Sequence, residues 1–339
     1  MLKQKKLITR LVLILTALTF FTCSTNQARI SLRNKISGTP AKNYTSYAFN
    51  PETPLEERVK AAPDFLLSYL KEIDNNSTYS IYMPAKHEIT IIRKYLALLP
   101  QIHQNILKDR LIGIYFINNF TGSGMVEYVL EGQDRIFGVL IINPETLRNN
   151  ISDWMTYREN TCFTADTQAN DIKITIDCGK NYSGLIYILL HETTHLVDYV
   201  EHYTPYVEED MRELGFSLPE TDFTKEVWIN YDEPAKDFDF SLRRDISFYG
   251  LGHGPSIPAQ KAAGVYNAFS RTPFVSLYGA QNWAEDFVEY FTWYYFTVKL
   301  KQPYKSRVAA AGKILLEYEP MKSEKVLKRA GSILKLMQH

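Results

Sequence analysis

The sequence predicts an α+β fold, on three observations. Apolar residues recur at helical spacing from Pro54 towards Asp109. β-Branched and aromatic residues then gather in short runs between Leu111 and Ile142, bounded by Asn and Gly. Helical patterning returns in an apolar stretch around Leu189–Val197 and again from Trp283 to the C-terminus. The chain has 339 residues, enough for one large domain or two modest ones. It is read as one domain over residues 53–339.

Apolar residues make up 45% and aromatic residues 13%, which is enough for a real core. Basic and acidic residues number 38 each, and no basic run follows the N-terminus. Nothing in the charge points to a nucleic-acid partner. Residues 1–22 read as a signal peptide: Lys3, Lys5, Lys6 and Arg10 precede the apolar run Leu11–Phe21. That run is shorter than the roughly 20 residues that span a bilayer. Phe20-Phe21-Thr22-Cys23 resembles a bacterial lipobox, with Phe20 and Thr22 where Leu and Gly or Ala are usual. The resemblance implies lipidation of Cys23, export, and attachment to the bacterial cell envelope by a lipid anchor. Residues 23–52 are polar and read as a flexible tether. In an oxidising compartment Cys162 and Cys178, close in sequence, are candidates for a disulfide.

Taken in order, a helix is expected after Pro54, interrupted at Pro63, with a second from Lys86 to Asp109 broken at Pro100. Strands are expected at Leu111–Ile117, Met125–Leu130 and Ile136–Ile142, then a short helix after Pro144. Ile172, Ile174 and Ile176 alternate with polar residues, as in a half-buried strand and a candidate edge for an added peptide. The next helix should begin near Ser183, capped by Ser183 or Asn181. Residues 203–277 read as loops with short helices, Trp283–Lys299 as a buried aromatic helix, and Ser306–Leu336 as mostly helical.

The chemistry starts at His191-Glu192-Thr193-Thr194-His195. On a helix, positions i and i+4 share a face, so both imidazoles reach one metal ion with Glu192 beside it. This suits Zn2+ with a neighbouring general base. Two histidines and a glutamate on an apolar helix would be costly to bury without a shared partner. A metzincin site needs Gly and His three and six residues after the second histidine, where this chain has Asp198 and Glu201. The third ligand is therefore sought downstream. Glu285 and Glu289 share a helix face among aromatics; a zinc ligand and a hydrogen bond to a ligating histidine would satisfy the two.

H-E-x-x-H-x-V-D, together with Tyr278-Gly279, Asn282, Glu285, Phe287, Glu289 and Phe291, resembles gluzincin metallopeptidases, specifically the catalytic domain of anthrax lethal factor and its bacterial relatives. The resemblance covers two short motifs. It implies a zincin-like fold: a small twisted sheet, mainly antiparallel or mixed, against the active-site helix, then a mainly helical half. It implies His191, His195 and Glu285 as zinc ligands, Glu192 as general base, Tyr278 as oxyanion donor and Glu289 as partner of a ligating histidine. A peptide or protein would be the substrate. The alternatives are a surface lipoprotein using the same scaffold as a binding module, and an amidase of cell-wall peptides. Asp198 is a candidate partner of a ligating histidine or part of a solvated network. His253 is a candidate substrate contact on its Gly-rich loop; His87, His103 and His339 are expected to be solvated.

Overall fold

A mixed four-stranded sheet, in the order β1-β2-β4-β3, organises the molecule. The computed structural model describes residues 30–339 except 133–134, 166–170, 207–211, 213–217, 252–253, 332 and 334–339. Cys23, the signal peptide, His253 and His339 lie outside the described residues. Strands β1 (Ser80–Tyr82), β2 (Leu111–Asn118), β3 (Gly124–Glu131) and β4 (Arg135–Ile142) form this sheet. β2 and β4 run parallel, while β1 on β2 and β3 on β4 are antiparallel. β2 and β4 are buried on both faces, which is why they read as almost unbroken apolar runs.

Ile114 and Phe116 point into one core, Tyr115 and Ile117 into another. Residues 30–37 (α1) are helical, and the second core is closed by Ala41, Tyr47, and Leu66 and Leu70 of α2 (Asp64–Ile73). The tether expected over 23–52 therefore does not reach through residue 47. Ala41 and Tyr47 are buried, Tyr47 donates to the Ala41 carbonyl at 2.7 Å, and Asn43 bridges to Leu130.

The other face carries α3 (Lys86–Leu96), α4 (Gln101–Arg110), the single turn α5 (Glu145–Arg148), α6 (Ile151–Asn160) and, centrally, α7 (Leu185–Glu201). Every residue of α7 from Leu185 to Asp198 is buried. Fully burying a Leu or Ile stabilises by about 1.5–3 kcal/mol, and Leu185, Ile186, Ile188, Leu189, Leu190 and Leu196 offset the cost of the polar groups on the same helix. The helix starts two residues later than expected. No side chain caps it; the Ser183 N–H donates to the Tyr95 hydroxyl instead.

Strands β5 (Phe163–Thr164) and β7 (Ile257–Pro258) pair in parallel. β6 (Lys173–Asp177), β8 (Lys305–Ala310) and β9 (Lys313–Tyr318) form an antiparallel sheet. With α8 (Ala262–Phe269) they enclose a separate core. Three expectations are corrected here. The C-terminal region is not mostly helical: 305–318 is a β-hairpin, turned at Ala311 and Gly312, both at positive φ (47° and 77°). β6 has no free edge beside the helix motif: β8 pairs with one side, and Thr156 and Asn160 of α6 bond its backbone on the other. Cys162 and Cys178 are free and buried. The Cys178 N–H bonds Ser152 at the start of α6, while Cys162 follows its end. A ten-residue helix is about 15 Å long, beyond the ~7 Å Cα separation a disulfide bridges. α9 (Trp283–Tyr294), continued by the π-helical turn Tyr295–Lys299, and the short α10 (Glu324–Leu327) complete the fold. Among the described residues no helix is long and apolar enough to cross a membrane.

β3 lies directly on α7, and Gly124 permits the approach. A Cβ there would stand 2.7 Å from Ile188 Cγ2 and 2.9 Å from the Ile141 carbonyl oxygen. Gly124→Ala is expected to destabilise by about 1–3 kcal/mol, as overpacked sites do, by denaturant unfolding. An unchanged midpoint would show that the strand relaxes at no cost.

Candidate active site

α7 sets His191, Glu192 and His195 on one face, with donor atoms all within 4.8 Å of one another. α9 brings the rest. Its N-cap Asn282 accepts the Glu285 N–H at 3.0 Å, which fixes Glu285 in the first turn and Glu289 one turn on. Glu285 Oε2 lies 3.2 Å from His191 Nε2 and 3.4 Å from His195 Nε2. It is buried yet makes no aligned hydrogen bond among the described residues. Atoms about 2.0–2.1 Å from a tetrahedral zinc stand about 3.4 Å apart, so these three fit a common metal. Glu192, although within 4.8 Å of the histidines, is held elsewhere: its Oε2 accepts the Val126 N–H of β3 at 3.0 Å.

Glu289 is wholly buried behind His191. Its Oε1 lies 2.9 Å from His191 Nδ1 and 3.4 Å from Arg158, and it also accepts the Tyr187 hydroxyl. Oε2 accepts the Trp293 indole N–H at 2.9 Å. A proton on Nδ1 pointing at Glu289 leaves the Nε2 lone pair facing Glu285 and His195. Burial would raise the Glu289 carboxyl, but Arg158 and His191 outweigh it and hold the group well below the usual carboxylate range. Burial likewise pulls His191 down, yet its contacts with Glu285 and Glu289 carry it to about 10. Carboxylates on both ring nitrogens of one buried imidazole, Glu285 at Nε2 and Glu289 at Nδ1, make a place that favours a cation, whether a proton or a metal. Burial raises Glu192, against the pull of His191 and His195.

Tyr278 lies over the group, its ring 5.6 Å from the His191 ring and nearly perpendicular to it. Phe248, at 4.9 Å between centroids, and the Arg158 guanidinium, 5.3 Å from the ring, support it. A cleft of about 450 Å³ opens on these residues, and β3 forms one wall with Gly124–Tyr128. β3 is the edge strand of its sheet, and the Val126 N–H points away from β4 towards the cleft.

The structure thus brings together His191, Glu192, His195, Tyr278, Glu285 and Glu289. It does not bring Asp198 to a histidine. The Asp198 carboxylate accepts the Thr204 N–H at 2.7 Å and the Thr204 hydroxyl at 2.5 Å, and so shapes the turn after α7. α7 ends at Glu201, with His202 left-handed at φ 57°, so neither residue reaches the cleft. His103 is not solvated; it is fully buried, 2.8 Å from the Thr193 hydroxyl and stacked on Phe291. His87 is exposed. Sequence reasoning missed Tyr187 and Arg158. Tyr187 stands four residues before His191, on the same helix face, a signal that was available. Arg158 meets Glu289 across 131 positions, which no local pattern reveals.

Comparison with protein families, curated proteins and solved structures finds no significant match to this chain.

Burial holds His103 neutral by lowering its pKa from 6.5 to about 3. Its folded pKa is depressed, so the unfolded chain binds the proton first as pH falls. Stability from this group is complete above about 6.5 and is lost below it, by about 1.4 kcal/mol per pH unit down to about 3. Urea unfolding at pH 7 and pH 5 should show a smaller acid loss in His103→Gln than in the wild type; equal losses would assign the acid sensitivity elsewhere.

Proposed function

We propose that this chain is a zinc-dependent metallopeptidase of the gluzincin type, exported and held at a bacterial envelope by a lipid on Cys23. The observation that carries the catalytic reading is Glu285 Oε2, buried without a hydrogen bond between two imidazole nitrogens at 3.2 and 3.4 Å. His191, His195 and Glu285 would hold the metal. Zinc, when bound, supplies a Lewis acid that lowers the pKa of water from about 15.7 towards ~7 and polarises a carbonyl.

The chain's own residues do the rest. Glu192 takes the proton of the attacking water and returns it to the leaving amine. The Val126 N–H fixes one Glu192 oxygen and leaves the other for water. The Tyr278 hydroxyl has no hydrogen-bond partner among the described residues and borders the cleft. It donates to the oxyanion as the carbonyl carbon becomes tetrahedral, a contribution of about 3 kcal/mol for a well-placed donor. Glu289 keeps His191 in one orientation and tautomer. An extended peptide or protein segment pairs with the edge of β3 along Gly124–Tyr128, short of Leu130 where Asn43 bridges the strand.

Glu192→Gln tests this reading. It keeps the shape and the Val126 contact but removes the base. Peptide hydrolysis by the zinc-loaded chain should fall by at least about 100-fold, with bound zinc unchanged by elemental analysis. Full activity in the variant would remove Glu192 from the mechanism.

A further inference from the structure

The cleft is strongly asymmetric about Glu192. Two cavities, one of about 450 Å³ and one of about 50 Å³, share Gly124, His191, Glu192 and Tyr278 in their walls. The large one is broad, with the rings of Tyr69, Tyr128, Tyr231 and Trp283 and the charges of Lys42 and Glu127 around it. The small one is closed by Ser123, Arg158, Ile188, Tyr249 and Leu251.

The wall of the small cavity is fixed. The Tyr249 hydroxyl bonds the Ser123 hydroxyl, which also accepts the Trp154 indole N–H at 2.8 Å. The Tyr249 backbone N–H donates to Thr161 Oγ1 at 2.9 Å. Its φ is +58°, a left-handed conformation that a tyrosine holds only when its surroundings impose it. The floor is Arg158, 1% exposed, whose charge faces Glu289 and Glu159. With two carboxylates already beside it, this guanidinium does not call for a further anion.

We infer that the residue following the scissile bond must be small: Gly, Ala or Ser. This rests on the metallopeptidase reading and names the substrate class of that site. A volume of about 50 Å³ is far below the ~150 Å³ cavity that takes a benzene-sized group. Direction follows from β3, which runs from the small cavity at Gly124 to the large one at Tyr128. A peptide pairing antiparallel, the commoner arrangement, runs from large to small. Its bond to be cut lies over Glu192, and the next side chain enters the small cavity. The large cavity leaves the preceding residue free to be aromatic.

The test uses the full zinc-loaded chain and quenched peptides varied on each side of the cleaved bond. Gly, Ala or Ser on the C-terminal side should give kcat/KM at least about tenfold above Leu or Phe, the discrimination expected of a pocket too small by a few methylenes. Aromatic residues on the N-terminal side should be accepted. Two variants enlarge the cavity: Leu251→Ala, at a side chain 47% exposed, and Tyr249→Gly, which keeps the positive φ. Each should raise the Leu-to-Ala ratio of kcat/KM by at least about tenfold. Wild-type cleavage before Leu or Phe as fast as before Ala, or an unchanged ratio in both variants, overturns this inference alone. A chain that binds zinc and cleaves no peptide in the set overturns the peptidase reading and this inference with it.

Discussion

A carboxylate buried as deeply as that of Glu289 persists only where several donors hold it. Here the imidazole of His191, the Tyr187 hydroxyl, the Trp293 indole and the Arg158 guanidinium surround it. These come from α7, α9 and α6, so one anion ties three helices together at the back of the site. Removing it would leave Arg158 buried with Glu159 alone as its carboxylate partner. Breaking a buried pair from one side costs about 3–5 kcal/mol. The geometry of the cleft depends on this junction, because it sets which nitrogen of His191 faces Glu285.

The front of the site follows from the same crossing. Once Glu289 is anchored, Glu285 stands one helical turn nearer the cleft and meets both Nε2 atoms. β3 supplies the opposite wall through a contact that only glycine at 124 allows, and its Val126 N–H steadies Glu192. The proposed ligands and base are therefore held by packed helices and a buried sheet, and the oxyanion donor Tyr278 sits on a turn backed by Phe248 and Arg158. The narrow end of the cleft is set by the Tyr249 loop, which is pinned by Ser123 and Thr161.

Much of this was legible in the sequence because the signals are local. The helix motif, the Glu285–Glu289 spacing and the strands from 111 to 142 each depend on neighbours within a few positions. What was misread depended on distant contacts or on coincident patterns. Leu315 and Leu316 match a helical stripe, but they lie on β9, where Leu315 is 53% exposed, and the Ala311-Gly312 turn was the better guide. Cys162 and Cys178 are near in sequence, but β6 runs back along α6 and leaves them at opposite ends of it. Asp198 follows His195 by three residues, but the chain turns at His202 and gives it Thr204 as its partner. His103 gave no sign of burial, because its partner Thr193 is 90 residues away.

The central claim is that Glu285, remote in sequence from the helix motif, completes a metal site with His191 and His195. Zinc titration of the metal-free chain against a chromophoric chelator, for wild type and Glu285→Gln, tests it most directly. One zinc per wild-type chain is expected, with affinity weaker by more than about 100-fold in the variant, since even a partner of a ligand is worth 10–100-fold. A folded wild-type chain that takes up no stoichiometric zinc, or equal affinity in both proteins, would contradict the account.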